Sequence, residues 1–233
     1  MAASASACED EQPARKAQFF GGPPILHGGD GRVAGDGRAA GDGPRPASTP
    51  RRRARGFNPK DNQRIHAARS VRAVFAVLDD MQENGIPPNV FQVNIAVTKI
   101  GRMRDGSRPA VELLRSASER YGVTPNTITY TAAISACGKG GQWKKALELL
   151  GQMVAAGVAP DNITYNTAIS ACEKGGQWKK ALELLGQMDA AGVALDTITY
   201  SAAISACEKG GQWEKALELL GQMDAAGVAL DTI

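Results

Sequence analysis

Three cysteines recur at a fixed interval in the second half of this 233-residue chain. Cys137, Cys172 and Cys207 are each 35 residues apart. Thiolates on neighbouring helices could bind a metal ion or act as nucleophiles. However, the sequence has no C-x-x-C pair, and its two histidines, His27 and His66, are remote from these cysteines. We therefore interpret the three thiols as small buried apolar groups, with metal binding as the alternative.

The sequence contains no pattern typical of an active site. It lacks G-x-S-x-G, H-E-x-x-H and any convincing pair of nucleophile and base. The glycine-rich stretches GGDG and KGGQW lack the Lys-Ser/Thr of a phosphate-binding loop. We expect a protein that is not an enzyme and that uses no cofactor, metal or small-molecule substrate.

A small polar residue follows each of three tyrosines that are also 35 residues apart. The residue is Thr131, Asn166 or Ser201, and each of these side chains can form hydrogen bonds. A helical repeat that contacts one ligand unit per copy would vary this position while keeping its packing residues. Neutral variation at an exposed site is the alternative reading.

Tandem copies of a 35-residue unit position these residues. The copies cover residues 127–161, 162–196 and 197–231, and the last two share 31 of 35 residues. In the first copy, apolar residues lie at helical spacing before and after Gly140 and Gly141, which predicts two helices joined by a glycine turn. Gly157 is expected to end the second helix in the left-handed region. Gly151, inside that helix, is expected to permit close approach of a neighbouring helix.

Less regular segments flank the tandem copies. Residues 90–126 form a divergent repeat, and residues 57–89 form a partial degenerate one. Residues 1–56 are rich in Gly and Arg with few apolar residues, which predicts a disordered leader. Residues 232–233 match the start of another repeat, so we expect a fragment, a truncated product or an array completed by a partner. The predicted fold class is all-α: an α-solenoid of stacked antiparallel helix pairs in 35-residue repeats after a disordered N-terminal leader.

The charge is divided unevenly along the chain. Residues 127–233 carry eight Lys and no Arg against eleven Asp and Glu, a net charge of −3, whereas residues 1–126 carry +6. No apolar run is long enough to span a membrane, and no secretory signal is present. The Ala/Ser-rich start gives weak support for targeting to a chloroplast or mitochondrion; the other locations are the cytoplasm and the nucleus.

The second copy, ITYNTAISACEKGGQWKKALELLGQMDAAGVALD, closely resembles the pentatricopeptide repeat family of organellar RNA-binding α-solenoids. The matching features are the 35-residue length, Thr-Tyr-Asn at the start of the first helix, Lys-Gly-Gly at the turn and Ala-Leu-Glu-Leu-Leu in the second helix. The resemblance covers residues 90–233 well and residues 71–89 loosely. It implies a partner, single-stranded RNA, of which each repeat contacts one base.

The resemblance also implies roles for individual residues. The base-reading pairs would be Thr131 with Asp161, Asn166 with Asp196, Ser201 with Asp231, and Asn94 with Asn126 in the divergent repeat. By the family's rules these pairs favour G, U, G and a pyrimidine, which together give a YGUG-like core. The implied base-sandwiching residues are Ile128, Ile163, Ile198 and Ile233. The candidate phosphate contacts are Lys139, Lys174 and Lys209.

Three functions are compatible with these features. The main hypothesis is sequence-selective binding of single-stranded RNA in organellar RNA processing, stability or translation. One alternative is a helical-repeat scaffold for protein–protein interaction. The second alternative is the RNA-recognition part of a protein-only ribonuclease P that lacks its nuclease domain.

Overall fold

The computed structural model describes residues 59–229, so the predicted leader at residues 1–56 lies outside the described residues. The described part is all-α, as predicted, and its helices follow one another in pairs. In chain order the helices are α1 Pro59–Ala67, α2 Val71–Glu83, α3 Val90–Gly101, α4 Ser107–Tyr121, α5 Thr127–Lys139, α6 Trp143–Ala155, α7 Asn162–Lys174, α8 Trp178–Ala190, α9 Thr197–Lys209 and α10 Trp213–Ala225.

The helix ends are set by side-chain caps and glycines. Asn126, Asp161 and Asp196 are the N-caps of α5, α7 and α9, and each side chain accepts a hydrogen bond from the backbone N–H three residues later. Such caps contribute about 1 kcal/mol each. At the other ends, Gly157 (φ +73°) adopts the predicted left-handed conformation, and Gly141 (φ +69°) in the predicted glycine turn adopts it as well.

The helices form two rows that pack differently. We call α3, α5, α7 and α9 the first-helix row and α4, α6, α8 and α10 the second-helix row. Each helix of the first-helix row packs on the next one in that row, whereas second-row helices pack mainly on first-row helices. Small residues permit the close first-row contacts: a Cβ added at Gly101 would lie 2.7 Å from Cβ of Ala136.

The cysteines lie in the core, as their interpretation as apolar residues requires. Cys137, Cys172 and Cys207 are fully buried free thiols. Burial raises the pKa of Cys137 and of Cys172 to about 11, so both are protonated and unreactive at neutral pH. Within residues 59–229, no three His, Cys, Asp or Glu side chains come together as a metal site would require.

The prediction that Gly151 permits close approach of a neighbouring helix was wrong. A Cβ at Gly151 would meet nothing within 4 Å, because this position faces an open groove. In contrast, a Cβ at Gly175 or Gly210 would collide with the ring of Trp143 or Trp178 in the preceding copy. The glycine turns therefore receive the tryptophan rings, which remain only half-buried.

None of the helices between residues 59 and 229 has the length and apolar character of a membrane span.

Candidate nucleic-acid interface

Large apolar side chains are exposed at one position of each first-row helix. Ile128, Ile163 and Ile198 are the second residues of α5, α7 and α9, and they are 60–66% exposed. The same apolar residue type is thus exposed at the same helix position of three successive copies. The remaining predicted sandwich residue, Ile233, lies outside the described residues.

The divergent repeat contributes an equivalent residue that the sequence reasoning missed. Phe91 is the second residue of α3 and is 53% exposed. It precedes Asn94 by three residues, as Ile163 precedes Asn166. This spacing could have revealed it, but the divergent repeat has Val93 where the regular copies have the tyrosine used as the landmark. An aromatic ring at this position can stack on a base face.

The second predicted base-reading pair is in direct contact. The Nδ2 atom of Asn166 donates to Oδ1 of Asp196 over 3.2 Å, although the two residues are 30 positions apart. A buried hydroxyl joins them as well: Oγ1 of Thr199 lies 2.6 Å from Oδ1 of Asn166 and 2.7 Å from Oδ1 of Asp196. Thr199 is fully buried, so it fixes both side chains from behind and leaves their outer edges accessible.

The first predicted pair is joined through the same position of the next helix. The hydroxyls of Thr131 and Thr164 are 2.7 Å apart, and Oγ1 of Thr164 donates to Oδ1 of Asp161 over 2.6 Å. Because the Thr164 hydrogen goes to Asp161, the single hydroxyl hydrogen of Thr131 is shared between Oγ1 of Thr164 and the carbonyl of Thr127, which lies 2.8 Å away. Thr131 and Asp161 thus belong to one hydrogen-bond network, with the fully buried Thr164 between them.

The predicted pair of the divergent repeat, Asn94 with Asn126, is arranged in the same way. Nδ2 of Asn94 donates to Oδ1 of Asn126 over 3.3 Å, and Oγ1 of Thr129 donates to Oδ1 of Asn94 over 2.5 Å. Asn94 is only 7% exposed, so this pair is less accessible than Asn166 with Asp196. Of the last predicted pair, Ser201 is an exposed residue of α9, and Asp231 lies outside the described residues.

The electrostatics of the second pair favour a charged Asp196. Partial burial raises the pKa of this carboxyl, but the hydrogen bonds from Thr199, Asn166 and Asn162 outweigh burial and hold the pKa below its ordinary value. Asp196 is therefore an acceptor at neutral pH. Its contribution to stability is present above the ordinary pKa of 3.8 and is lost as pH falls through the lower folded value.

Two clefts bring the predicted residues of successive repeats together. A cleft of about 310 Å³ is lined by both predicted sandwich residues of the first two copies, Ile128 and Ile163, and by the pair Thr131 and Asp161. The next cleft has a volume of about 420 Å³. Its walls include Lys139, Ile163, Asn166, Lys174, Asp196 and Ile198. Each cleft therefore combines apolar walls, a hydrogen-bonding pair and, in the second, two ammonium groups.

The three candidate phosphate contacts are not equivalent. Lys139, Lys174 and Lys209 end α5, α7 and α9. Nζ of Lys209 lies 2.6 Å from Oε1 of Glu173, whereas within the described part of the chain no ion pair involves Lys139 or Lys174. The difference arises because the first copy has Gly138 where the second has Glu173.

A larger cleft lies elsewhere, between α4 and α6 in the second-helix row. It has a volume of about 940 Å³, and charged side chains dominate its lining. In this cleft, Glu148 forms ion pairs with both Arg115 and Lys145. This cleft contains none of the predicted base-reading or sandwich residues, so the smaller first-row clefts are the candidate site.

The fold and the site together define an α-solenoid that repeats one polar pair and one exposed apolar residue per copy. A profile of the PPR repeat family matches residues 125–174 and 160–209, and a profile of the PPR repeat matches residues 198–228. Residues 125–228 therefore consist of pentatricopeptide repeats. No curated protein sequence matches the chain significantly.

Solved structures show the same fold. Maize PPR10 aligns with 69% of this chain and 23% of its own length, at 23% identity and a TM-score of 0.60. PPR10 in complex with an 18-nt psaJ RNA element aligns with 73% of this chain and 25% of its own, at 21% identity and a TM-score of 0.60. The PPR domain of Arabidopsis thaliana protein-only RNase P 1, in complex with tRNA, aligns with 74% of this chain and 88% of its own, at 16% identity and a TM-score of 0.60. The chain thus spans about a quarter of the length of PPR10.

Proposed function

We propose that residues 59–229 bind single-stranded RNA on the first-helix row, with one base at each junction between repeats. The observation that carries this proposal is the repeated juxtaposition of an exposed isoleucine with a hydrogen-bonding pair held by a buried threonine. Exposed apolar side chains can cover the faces of a base, while the pair contacts its edge. The solved structures of PPR10 and of the RNase P 1 PPR domain include complexes with RNA and with tRNA, respectively.

The proposed selectivity is a YGUG-like core. It assigns G to Thr131 with Asp161, U to Asn166 with Asp196 and a pyrimidine to Asn94 with Asn126. The final G is assigned to Ser201 with Asp231. Stacking contributes about 1–3 kcal/mol per base, and part of this is lost in ordering the RNA. We therefore expect a dissociation constant on the order of micromolar for a core of this length.

Binding is measured by fluorescence anisotropy with oligonucleotides that carry UGUG or a scrambled core. Replacing Ile128 and Ile163 together by Ser should weaken binding of UGUG by about tenfold or more, since two base contacts lose their apolar surface. Val154→Ser is the matched control, because Val154 is 57% exposed but lies on α6 of the second-helix row. An unchanged affinity in the double variant would refute the first-row site.

The same anisotropy assay, run also with labelled peptides and with folded tRNA, separates the proposed function from its alternatives. Binding of peptides but of no RNA at low salt would favour the protein-binding scaffold. Binding of folded tRNA in preference to the single strand would favour recognition as in protein-only ribonuclease P. The role in organellar RNA processing, stability or translation is tested by imaging the tagged full chain in plant or algal cells and sequencing the RNA that it retains.

A further inference from the structure

The second copy differs from its neighbours at the first residue of its first helix. Asn162 occupies this position in α7, whereas Thr127 and Thr197 occupy it in α5 and α9. All three side chains donate a hydrogen bond to a carbonyl in the loop that closes the same copy. The acceptors are Ala159, Ala194 and Ala229, at 3.4, 2.9 and 3.1 Å.

Asn162 makes a second contact that the threonines of the flanking copies do not make. Its Oδ1 atom accepts a hydrogen bond from Nδ2 of Asn166 over 2.8 Å. In the first copy, Thr131 lies near the backbone carbonyl of Thr127 and not near its side-chain oxygen. The link to the base-reading residue is therefore specific to the second copy.

These contacts fix the orientation of both amide groups. The carbonyl of Ala194 can only accept, so Asn162 must turn its nitrogen toward the loop and its oxygen toward Asn166. Asn166 must then turn its nitrogen toward Asn162, and its second amide hydrogen goes to the Asp196 carboxylate. Because both hydrogens are engaged, Asn166 retains only acceptor capacity on Oδ1, beside the hydroxyl of Thr199.

We propose that Asn162 is a specificity-determining positioning residue of the second repeat, which makes Asn166 present an acceptor to the base. This inference rests on the proposed RNA-binding function. Uracil carries a hydrogen on N3, whereas N3 of cytosine carries a lone pair. An acceptor held toward that atom favours uracil and repels cytosine, whereas without Asn162 the second amide hydrogen of Asn166 would be free to donate to cytosine.

The control is Thr197→Ala, which removes only the loop hydrogen bond of the third copy. The test variant is Asn162→Ala, which removes the loop hydrogen bond and also the acceptor for Asn166. Affinities are measured for oligonucleotides with UGUG and UGCG cores. We expect the wild-type chain to prefer UGUG by about three- to tenfold, the range of one hydrogen bond, and the test variant to prefer it by less than about twofold. Discrimination between UGUG and UAUG, which probes the first repeat, should stay unchanged.

A readout without RNA tests the mechanism directly. The side-chain amide hydrogens of Asn166 should exchange with solvent more slowly than those of free asparagine, and Asn162→Ala should accelerate the exchange. Unprotected hydrogens in the wild-type chain, or an unchanged ratio of the UGUG and UGCG affinities in the variant, would overturn the role of Asn162. Failure of the wild-type chain to bind any of these RNAs would instead overturn the proposed function.

Discussion

Neighbouring helices touch closely along the first-helix row and leave grooves between them along the second-helix row. In the first row, Gly101 approaches Ala136 and Gly138 approaches Ala171, so that side chains of adjacent repeats share one surface. In the second row, most ion pairs lie within one helix, such as Lys180 with Glu183. The close approach of the first-row helices thus places several hydrogen-bonded side chains at the junctions between repeats, whereas among α4, α6, α8 and α10 the pair Arg115 and Glu148 makes such a contact.

Replacing a first-row glycine by alanine should have the largest effect on stability, because it tests the close packing of the first-helix row. In Gly101→Ala, the new methyl group would overlap Cβ of Ala136, so we expect a loss of about 1–3 kcal/mol in the free energy of unfolding. Gly151→Ala is the matched control in the second row, where the methyl group meets open space. It should stabilise the chain by up to about 1 kcal/mol through helix propensity. Urea denaturation measures both, and equal losses in the two variants would refute the difference in packing.

Removal of a buried hydroxyl tests the polar contacts of the first row. Thr199→Val keeps the shape of the side chain but removes the donor that Asn166 and Asp196 share, so we expect a loss of about 1–2 kcal/mol. The second-row comparison is Lys180→Gln, which breaks an exposed ion pair and should change stability by less than about 0.5 kcal/mol. A thermal midpoint in Thr199→Val no lower than that of Lys180→Gln would contradict the proposed importance of the junction.

The smallest expected effect concerns the charges at the ends of the first-row helices. Glu173→Gln should release Lys209 at a cost of under about 1 kcal/mol, because the pair is partly exposed. If the released ammonium contacts a phosphate, the salt dependence of RNA binding should steepen by about 0.7 in log–log slope. Glu208→Gln removes the same charge from the next copy, where the described residues show no ion pair for it, and should leave the slope unchanged.

Much of the fold follows from the sequence because one pattern is repeated three times. Helix spacing, the glycine turns and the buried cysteines are local or periodic features, and the structure agrees with them. Contacts between copies are harder to predict. Gly151 and Gly175 are both glycines of the repeat, and only the placement of the next helix shows that the second receives a tryptophan ring.

The repetition of the pattern also made the positions of some candidate site residues predictable. The exposure of Ile128, Ile163 and Ile198 matches the role that the family resemblance implies. The buried threonines and Asn162 were not predicted, because their importance depends on partners about 30 residues away. Likewise, the ion pair between Glu173 and Lys209 distinguishes three lysines that look equivalent in the sequence.

The last residue of one repeat caps the first helix of the next repeat and also completes the polar pair of its own repeat. Asp196 caps α9 and contacts Asn166 of α7, and Asn126 caps α5 and contacts Asn94 of α3. The threonine that bridges each pair, however, belongs to the following repeat. A designer who exchanges residues 162–196 as a block would alter the junctions at both borders of that block. Transplanting a single specificity requires cutting within the repeats, so that the pair and its bridging threonine travel together.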